Sequence, residues 1–440
     1  MKKNKVAGWL TLVIFWIFSV TAYSQTFLAG AGAADITPDL SAMKVPSSGY
    51  GERGPRPMQG VHDPVFCKVL VVADEADKAA IVTCDLIGIS PELRAAVLEQ
   101  IQAAGFDDRN LMMSATHTHS GPGAMNKNFI AGLVFGRYNQ DLVDQTALRI
   151  GAAIIDADAR KEPCTLRAAA VKLDDVTRNR RDPAGSYNYD TRRFSSAYDP
   201  EHPENKVDPE LIALRFDAHS GRTIAVIINF ASHATVLGAD NLLISADWPG
   251  AAQDQVEAAL PGTVALFING AIGDQAPAML EDDRTDWEYV EDIGGKVAEA
   301  ALAALEQAHP VEAAPVRAVM VRREVPPGNS VMGYRVPSSL IRRYFPEMPL
   351  QAVRLGQVVI MGAPVEMAAE IGLALKAGAK GQGYDYALVA GLANDIMLYC
   401  ATPEDFERGG YEVDNTIFGK IEAGLIIGEQ MLLVRQLRRE

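Results

Sequence analysis

Positive charge is scarce in this chain. Its 41 lysines and arginines stand against 56 aspartates and glutamates, a formal net charge of −15. An acidic surface of this kind excludes nucleic acid as a principal partner. Cysteine is nearly absent, with four residues in 440. Cys67, Cys84, Cys164 and Cys400 match the spacing of neither a zinc ribbon nor a dense disulfide framework. Cys67 and Cys84 fall on two strand-like runs joined by a short turn, a placement compatible with a bridge or with two buried thiols. Past the N-terminus no apolar run is long enough to span a bilayer. No internal repeat and no clear interdomain linker interrupts the chain. Histidine is rare too, only seven residues, so any clustering of histidines carries information.

What is present is a large apolar fraction, 48% of residues against 22% charged. That composition suits a sizeable buried core and argues against long disorder. The N-terminus stands apart from it. Lys2, Lys3 and Lys5 precede an apolar run from Val6 to about Val20, and Ala22 and Ser24 supply small residues before a cut after Ser24. This is the pattern of a secretory signal peptide over residues 1–24, with an uncleaved membrane anchor as the alternative, leaving 25–440 as one large domain and placing the protein in the periplasm or outside the cell. Removing three lysines and no acid takes the net charge from −15 to −18.

Apolar runs at Phe66–Ala73, Ala79–Cys84, Leu111–Ala115, Val264–Ile268, Val316–Val325, Ala352–Met361 and Tyr386–Ala390 predict strands. Leu211–Phe216 and Thr223–Phe230 predict a hairpin around Ser220-Gly221. Helical periodicity runs through Pro91–Ala104, Gln140–Ala157, Tyr289–Gln307 and about Ile421–Arg438. The interleaving predicts an α/β fold with mixed β-sheets flanked by helices. Arg178–Lys206 has no hydrophobic period and is rich in Arg, Tyr, Asn and Pro, the composition of a binding loop.

The densest chemical signal is Ser114-Ala-Thr-His117-Thr-His119-Ser-Gly-Pro-Gly123, directly after a strand. On extended chain, histidines two apart face one side and can serve one centre. A metal needs further ligands from elsewhere. His233 ends the run IINFASH and is the best placed. His62 remains a candidate, whereas His202, His219 and His309 sit in a loop, a hairpin turn and a helix end. Glu366, in Gly-Ala-Pro-Val-Glu after a strand, is expected to open a helix, with Glu370 one turn on as a rival. Tyr399 and Tyr411 follow the loop Gly391-Leu-Ala-Asn-Asp395, and Gly273-Asp274-Gln-Ala276-Pro277 follows another strand. Taken singly, each of these residues is as readily explained by packing or capping. Their shared position after strands is where α/β sheets gather ligands.

Together these segments resemble the neutral/alkaline non-lysosomal ceramidases, over most of the chain after residue 24. Gly30-Ala-Gly-Ala-Ala-Asp-Ile-Thr-Pro38 is similar to the family's opening. Ala115-Thr-His-Thr-His-Ser-Gly-Pro-Gly123 matches its hallmark, Asn179-Arg180 its Asn-Arg segment and Asn229–His233 its second histidine segment. The resemblance implies a zinc ion held by His117, His233, Glu366 and Tyr399, with His119 assisting catalysis and Arg180 and Tyr411 contacting the reacting amide. The twelve residues from Tyr399 to Tyr411 equal the family's gap. Two departures stand out. Ala276 occupies the place of a family serine, which excludes a serine acyl-enzyme there, and the family's C-terminal immunoglobulin-like domain has no counterpart in these residues. Both bear on the substrate and leave the metal site untouched.

The activity implied is hydrolysis of an N-acyl amide, ceramide or a related lipid, by metal-activated water, with Asp247 or Asp274 orienting a ligand imidazole. The partners expected are a lipid or other small-molecule substrate and peripheral contact with a membrane. Two alternatives use the same scaffold: a zinc hydrolase of another amide or ester, and an exported binding protein without turnover. The Arg/Tyr-rich loop favours a polar substrate.

Overall fold

The computed structural model describes residues 26–181, 186–196, 206–328, 330–331 and 333–439. The N-terminal segment read as a signal peptide lies outside them, as do His202 and parts of the Arg/Tyr-rich segment.

Twelve strands and six helices carry the architecture. The strands are β1 (Leu28–Asp35), β2 (Phe66–Ala73), β3 (Lys78–Cys84), β4 (Leu111–Ala115), β5 (Glu162–Lys172), β6 (Glu210–Ala218), β7 (Thr223–Phe230), β8 (Val264–Asn269), β9 (Val316–Glu324), β10 (Glu347–Leu355), β11 (Val358–Gly362) and β12 (Tyr386–Ala390). The helices are α1 (Pro91–Ile101), α2 (Gln140–Ala159), α3 (Asp247–Ala259), α4 (Asp286–Gln307), α5 (Ala369–Gly381) and α6 (Glu422–Arg439). Local chemistry sets their ends. Ser90 caps α1 by accepting from Leu93 N at 3.1 Å, just before Pro91. Thr285 and Glu288 close a reciprocal capping box on α4.

The first sheet runs in the order β8-β7-β6-β5-β1-β2-β3-β4, the second β9-β10-β11-β12. Pairing is antiparallel except between β3 and β4, β7 and β8, and β11 and β12. The expected mixed α/β class is therefore the observed one. The expected single strand Ala352–Met361 is instead two, β10 and β11, folded back at Gly356, whose φ of 56° is the left-handed turn that apolar content alone conceals.

Side-chain alternation stacks four layers. Leu70, Ile81, Met112, Leu266 and Ile268 of the first sheet pack against Val316, Val353, Val358, Ile360 and Leu388 of the second. On the outer face of the first sheet, Val69, Val71 and Val82 meet α1 and α2 through Val97, Ile150 and Ile154. Val226, Ile228 and Phe267 meet α3 and α4 through Trp248 and Val297. Helices α5 and α6 cover the second sheet. Burial on both faces is why these strands read as continuous apolar runs.

Buried amides tie the two sheets together where the strands end. Asn229 Nδ2 donates to Ile268 O at 2.8 Å and across to Val389 O at 2.9 Å. Asn269 Nδ2 donates to Thr116 O at 2.9 Å, and Gly391 N to Asn269 O at 2.9 Å. Removing one such amide leaves buried carbonyls without a donor. Asn229→Ala is expected to destabilise the protein by about 2–4 kcal/mol, read from urea denaturation.

Candidate metal centre

Every chemically prominent loop follows the C-terminal end of a strand in one of the parallel pairs. β4 leads to His117, β7 to His233, β8 to Gly273, β11 to Glu366 and β12 to Tyr399. The fold thus delivers residues far apart in sequence to one edge.

His117 and His119 do not sit on extended chain as expected. β4 ends at Ala115, and His117 has φ 68°. A β-carbon in the left-handed region is strained, and such strain clusters at functional sites. Here the turn is held by His117 N donating to Leu86 O at 3.0 Å and His119 N to Ala234 O at 3.3 Å. It still brings the two rings together, edge to face with centroids 4.7 Å apart and Nε2 atoms at 3.2 Å.

Glu366 does not open a helix either. It pairs directly with Tyr399 in a two-residue parallel ribbon, Glu366–Met367 with Tyr399–Cys400, and α5 begins only at Ala369. This ribbon explains why a carboxylate and a phenol 33 positions apart are neighbours. Glycine at 273 permits it: a β-carbon there would fall 2.5 Å from Glu366 O. The rival Glu370 lies outside the centre, paired with Lys206.

The donor atoms converge. Glu366 Oε2 lies 3.2 Å from His117 Nε2 and 3.0 Å from His233 Nε2, and the latter lies 3.3 Å from Tyr399 Oη. Ring nitrogens of His117, His119 and His233 all fall within 4.8 Å of one another. All of these side chains are buried.

The protons decide what this means. His117 Nδ1 faces Ile87 O at 2.7 Å and His233 Nδ1 faces Gln275 O at 2.9 Å. A carbonyl can only accept, so each Nδ1 carries a proton, and in the neutral tautomer each Nε2 presents a lone pair. Burial holds the His233 imidazole down to about 4, which keeps it neutral. Burial pushes Glu366 up, but His117 and His233 outweigh it and hold the carboxyl well below the usual range, so it is ionised. Where both Nε2 atoms are unprotonated, a carboxylate oxygen meets imidazole lone pairs at hydrogen-bond distance, whereas a proton on either Nε2 makes an imidazolium–carboxylate pair. A cation among them removes the repulsion. Donor separations of 3.0–3.3 Å are close to the ~3.3 Å edge of a tetrahedron with bonds of about 2.0–2.1 Å.

His119 differs in one respect. Its Nδ1 is buried with no hydrogen-bond partner among the described residues, so no carbonyl fixes a proton there, while its Nε2 faces His117 Nε2. Burial, followed by His117 and His233, pushes its pKa well down. Gly49 makes room for the ring, since a β-carbon there would meet it at 2.6 Å, and Tyr50 packs on it at a centroid distance of 4.6 Å.

Arg180 stands behind Tyr399. Its Nη2 donates to Tyr399 Oη at 3.1 Å and to Gly273 O at 2.7 Å, while Nε donates to Glu412 Oε1 at 2.7 Å. Arg181 Nη1 reaches Glu412 Oε2 at 2.7 Å. Tyr399 is pushed well up by burial, then by Glu366 and Tyr411, so its phenol keeps its proton unless a cation displaces it. Tyr411 stacks edge-on to Tyr399 at 5.4 Å and is half exposed.

Other expectations resolve differently. Neither Asp247 nor Asp274 touches an imidazole. Asp247 accepts from Leu237 N and Trp248 N, and Asp274 from Ala369 N, Asn179 and Gln275. Backbone carbonyls do the orienting, an acceptor type that side-chain composition does not reveal. His62 pairs with Asp63 and stacks on Trp287. His219 closes the β6–β7 turn and His309 pairs with Ala168 of β5. Ala276 is buried in a ribbon opposite Arg178. Cys67 and Cys84 are joined by a disulfide between paired strands. Residues the sequence did not single out are Gly49, Tyr50, Arg53 and Glu412. The glycine-punctuated Ser48-Gly-Tyr-Gly-Glu-Arg-Gly54 was the available signal for the first three.

A buried group of this kind could hold a metal ion, and comparison supplies the family. Residues 27–293 and 338–427 match the family model described as neutral/alkaline non-lysosomal ceramidase, N-terminal, and the chain belongs to that family. It is 23% identical to the neutral ceramidase of Pseudomonas aeruginosa over 89% of this chain and 69% of the relative. It is 23% identical to the neutral ceramidase of Mycobacterium tuberculosis, over 89% and 74%. Neutral ceramidase B of Dictyostelium discoideum is 27% identical over 58% of this chain and 36% of the relative. The crystal structure of the Pseudomonas aeruginosa neutral ceramidase superposes with a TM-score of 0.82 at 22% identity, covering 94% of this chain and 75% of that one. The fold is shared.

The lone-pair argument yields a test. In Glu366→Gln the amide can donate to the imidazoles, so the variant needs no cation there. Chelator is expected to lower the melting temperature of the native protein, by about 4 kcal/mol in stability if cation had been present at a thousand times Kd. The same treatment should leave Glu366→Gln unchanged in differential scanning calorimetry.

Proposed function

We propose that the protein is an exported zinc-dependent amidohydrolase of the ceramidase type. The observation that carries this is the meeting of two Nε2 atoms, a carboxylate and a tyrosine oxygen at 3.0–3.3 Å. His117, His233, Glu366 and Tyr399 would hold the ion. Nitrogen and anionic oxygen donors of this mixture suit zinc better than calcium or magnesium. When bound, the ion supplies Lewis acidity, lowering the pKa of water towards ~7 and polarising a carbonyl.

The remaining residues have distinct tasks. His119, buried and neutral with no carbonyl on its Nδ1, takes a proton from the attacking water and returns it to the leaving nitrogen. Tyr411, half exposed beside Tyr399, presents a hydroxyl towards the developing oxyanion. Arg180 donates to Tyr399 Oη, which favours its ionised form and fixes its orientation. Glu412 in turn holds Arg180, so the phenol is positioned two steps deep. Ala276 leaves water as the nucleophile at that position.

Export rests on the lysine-plus-apolar N-terminus and is supported by the buried Cys67–Cys84 disulfide, a bond that persists in oxidising compartments.

The test is hydrolysis of a fluorescent short-chain ceramide and a panel of other N-acyl compounds, with zinc content measured by mass spectrometry. Expected results are one zinc per chain, chelator-sensitive cleavage of at least one panel member, and a loss of about a thousandfold or more in kcat/KM for His117→Ala. Activity that survives both chelation and His117→Ala would overturn the reading. Zinc at full occupancy with a silent panel would favour a binding protein on the same scaffold.

A further inference from the structure

The walls around the metal centre are aromatic and cationic. Tyr50 packs on His119 on one side and Tyr411 on Tyr399 on the other. The short hairpin pairing Tyr187–Asn188 with Arg193–Phe194 reaches both. Tyr189 contacts Tyr411 at 6.0 Å and Tyr187 at 4.9 Å, while the Arg192 guanidinium lies 5.9 Å from the Tyr50 ring. The hairpin is firmly seated. Asn188 Oδ1 accepts from Asp190 N and Thr191 N, and buried Phe194 donates its N–H to Met279 O at 2.8 Å.

Arg192 is placed with particular care. Its backbone sits in the left-handed region at φ 59°. Its guanidinium lies flat on Gly238, where a β-carbon would fall 2.6 Å from Cζ. Nη2 meets Asp286 at 3.0 Å, but Arg193 claims the same carboxylate at 2.8 Å. Arg192 Nε is buried without a hydrogen-bond partner among the described residues. Arg53 Cζ lies 5.2 Å from the Tyr50 ring centroid, and its donors go to the carbonyls of Ser48, His119 and Asn241. Asp240 acts on both arginines at longer range. Arg53 thus hydrogen-bonds only carbonyls, with Asp240 and Glu52 at longer range, and Arg192 shares its one hydrogen-bonded carboxylate with Arg193.

We infer that Arg192, with Tyr50 and the 187–194 hairpin, forms a recognition site for an anionic group on the substrate, close to the bond that is cut. The substrate class is an N-acyl compound whose amine portion bears an acid, as in an N-acyl amino acid. This deepens the hydrolase reading and rests on it. Arg192 acts on specificity: its planar fork meets a carboxylate that a neutral headgroup lacks.

The test compares N-dodecanoylglycine with the neutral N-dodecanoylglycinamide. In the zinc-loaded native protein the acid is expected to be favoured in kcat/KM by about tenfold or more, chiefly through KM. Arg192→Gln should collapse that ratio towards one, and Arg192→Lys should fall between. Calorimetric titration of the acid, which needs no turnover, should show binding about tenfold weaker in Arg192→Gln. A native ratio near one, or equal losses for both compounds in the variant, would overturn the inference. Should Arg192→Gln fail to fold, the salt dependence of native binding decides: a decline for the acid alone is expected, and salt-independent binding refutes it. If neither compound nor any other amide is cut, the hydrolase reading fails, while the titration still judges the anion site.

Discussion

Two imidazole Nε2 atoms, a carboxylate and a phenol oxygen share one buried point, and much of the surrounding structure serves to keep them there. The arrangement depends on backbone carbonyls. Ile87 O and Gln275 O fix the Nδ1 protons of His117 and His233, which leaves both Nε2 atoms facing Glu366. Without those carbonyls each ring could turn its proton inward and settle for an ordinary hydrogen bond. His119, which lacks such a carbonyl, is free to carry a proton. The difference between a ligand and an acid–base group is therefore made outside the centre itself.

The four-layer architecture makes this point reachable from both sheets. Parallel pairs in each sheet end at the same edge, so the two histidines come from the first and the Glu366–Tyr399 ribbon from the second. The buried amide of Asn229, donating to Val389 O, and the carbonyl of Asn269, accepting from Gly391 N, cross between the layers beside the centre. A slip between sheets would separate the ligands, and satisfying these polar groups is what opposes it.

Around the centre, buried charge is matched in some places and left over in others. Arg180 and Arg181 meet Glu412, with Arg181 also on Asp405, and this network backs Tyr399. Arg53 and Arg192 flank Tyr50 with less compensation. Charge held rigid and short of counter-charge at the mouth of a site is the usual means of selecting a ligand of opposite sign.

Composition and periodicity were enough for the mixed α/β class, for strands such as Leu111–Ala115 and Tyr386–Ala390 that the structure reproduces residue for residue, and for the hairpin at Ser220-Gly221. Apolar runs reveal strands buried on both faces because nothing else in a chain is so continuously hydrophobic. The hallmark His117-Thr-His119 was legible because histidine is rare, and the family followed from it. Other features were beyond one-dimensional reading. A turn at Gly356, the left-handed backbone of His117 and the ribbon that replaces a helix at Glu366 depend on neighbours distant in sequence. So do the carbonyls that took the place expected for Asp247 or Asp274, because every residue has a carbonyl and only the fold decides which one meets a ring. The sequence by itself determined which side chains are available and how the strands alternate. The tertiary structure alone decided which protons and lone pairs face one another, since that is a matter of direction and distance across the packed sheets.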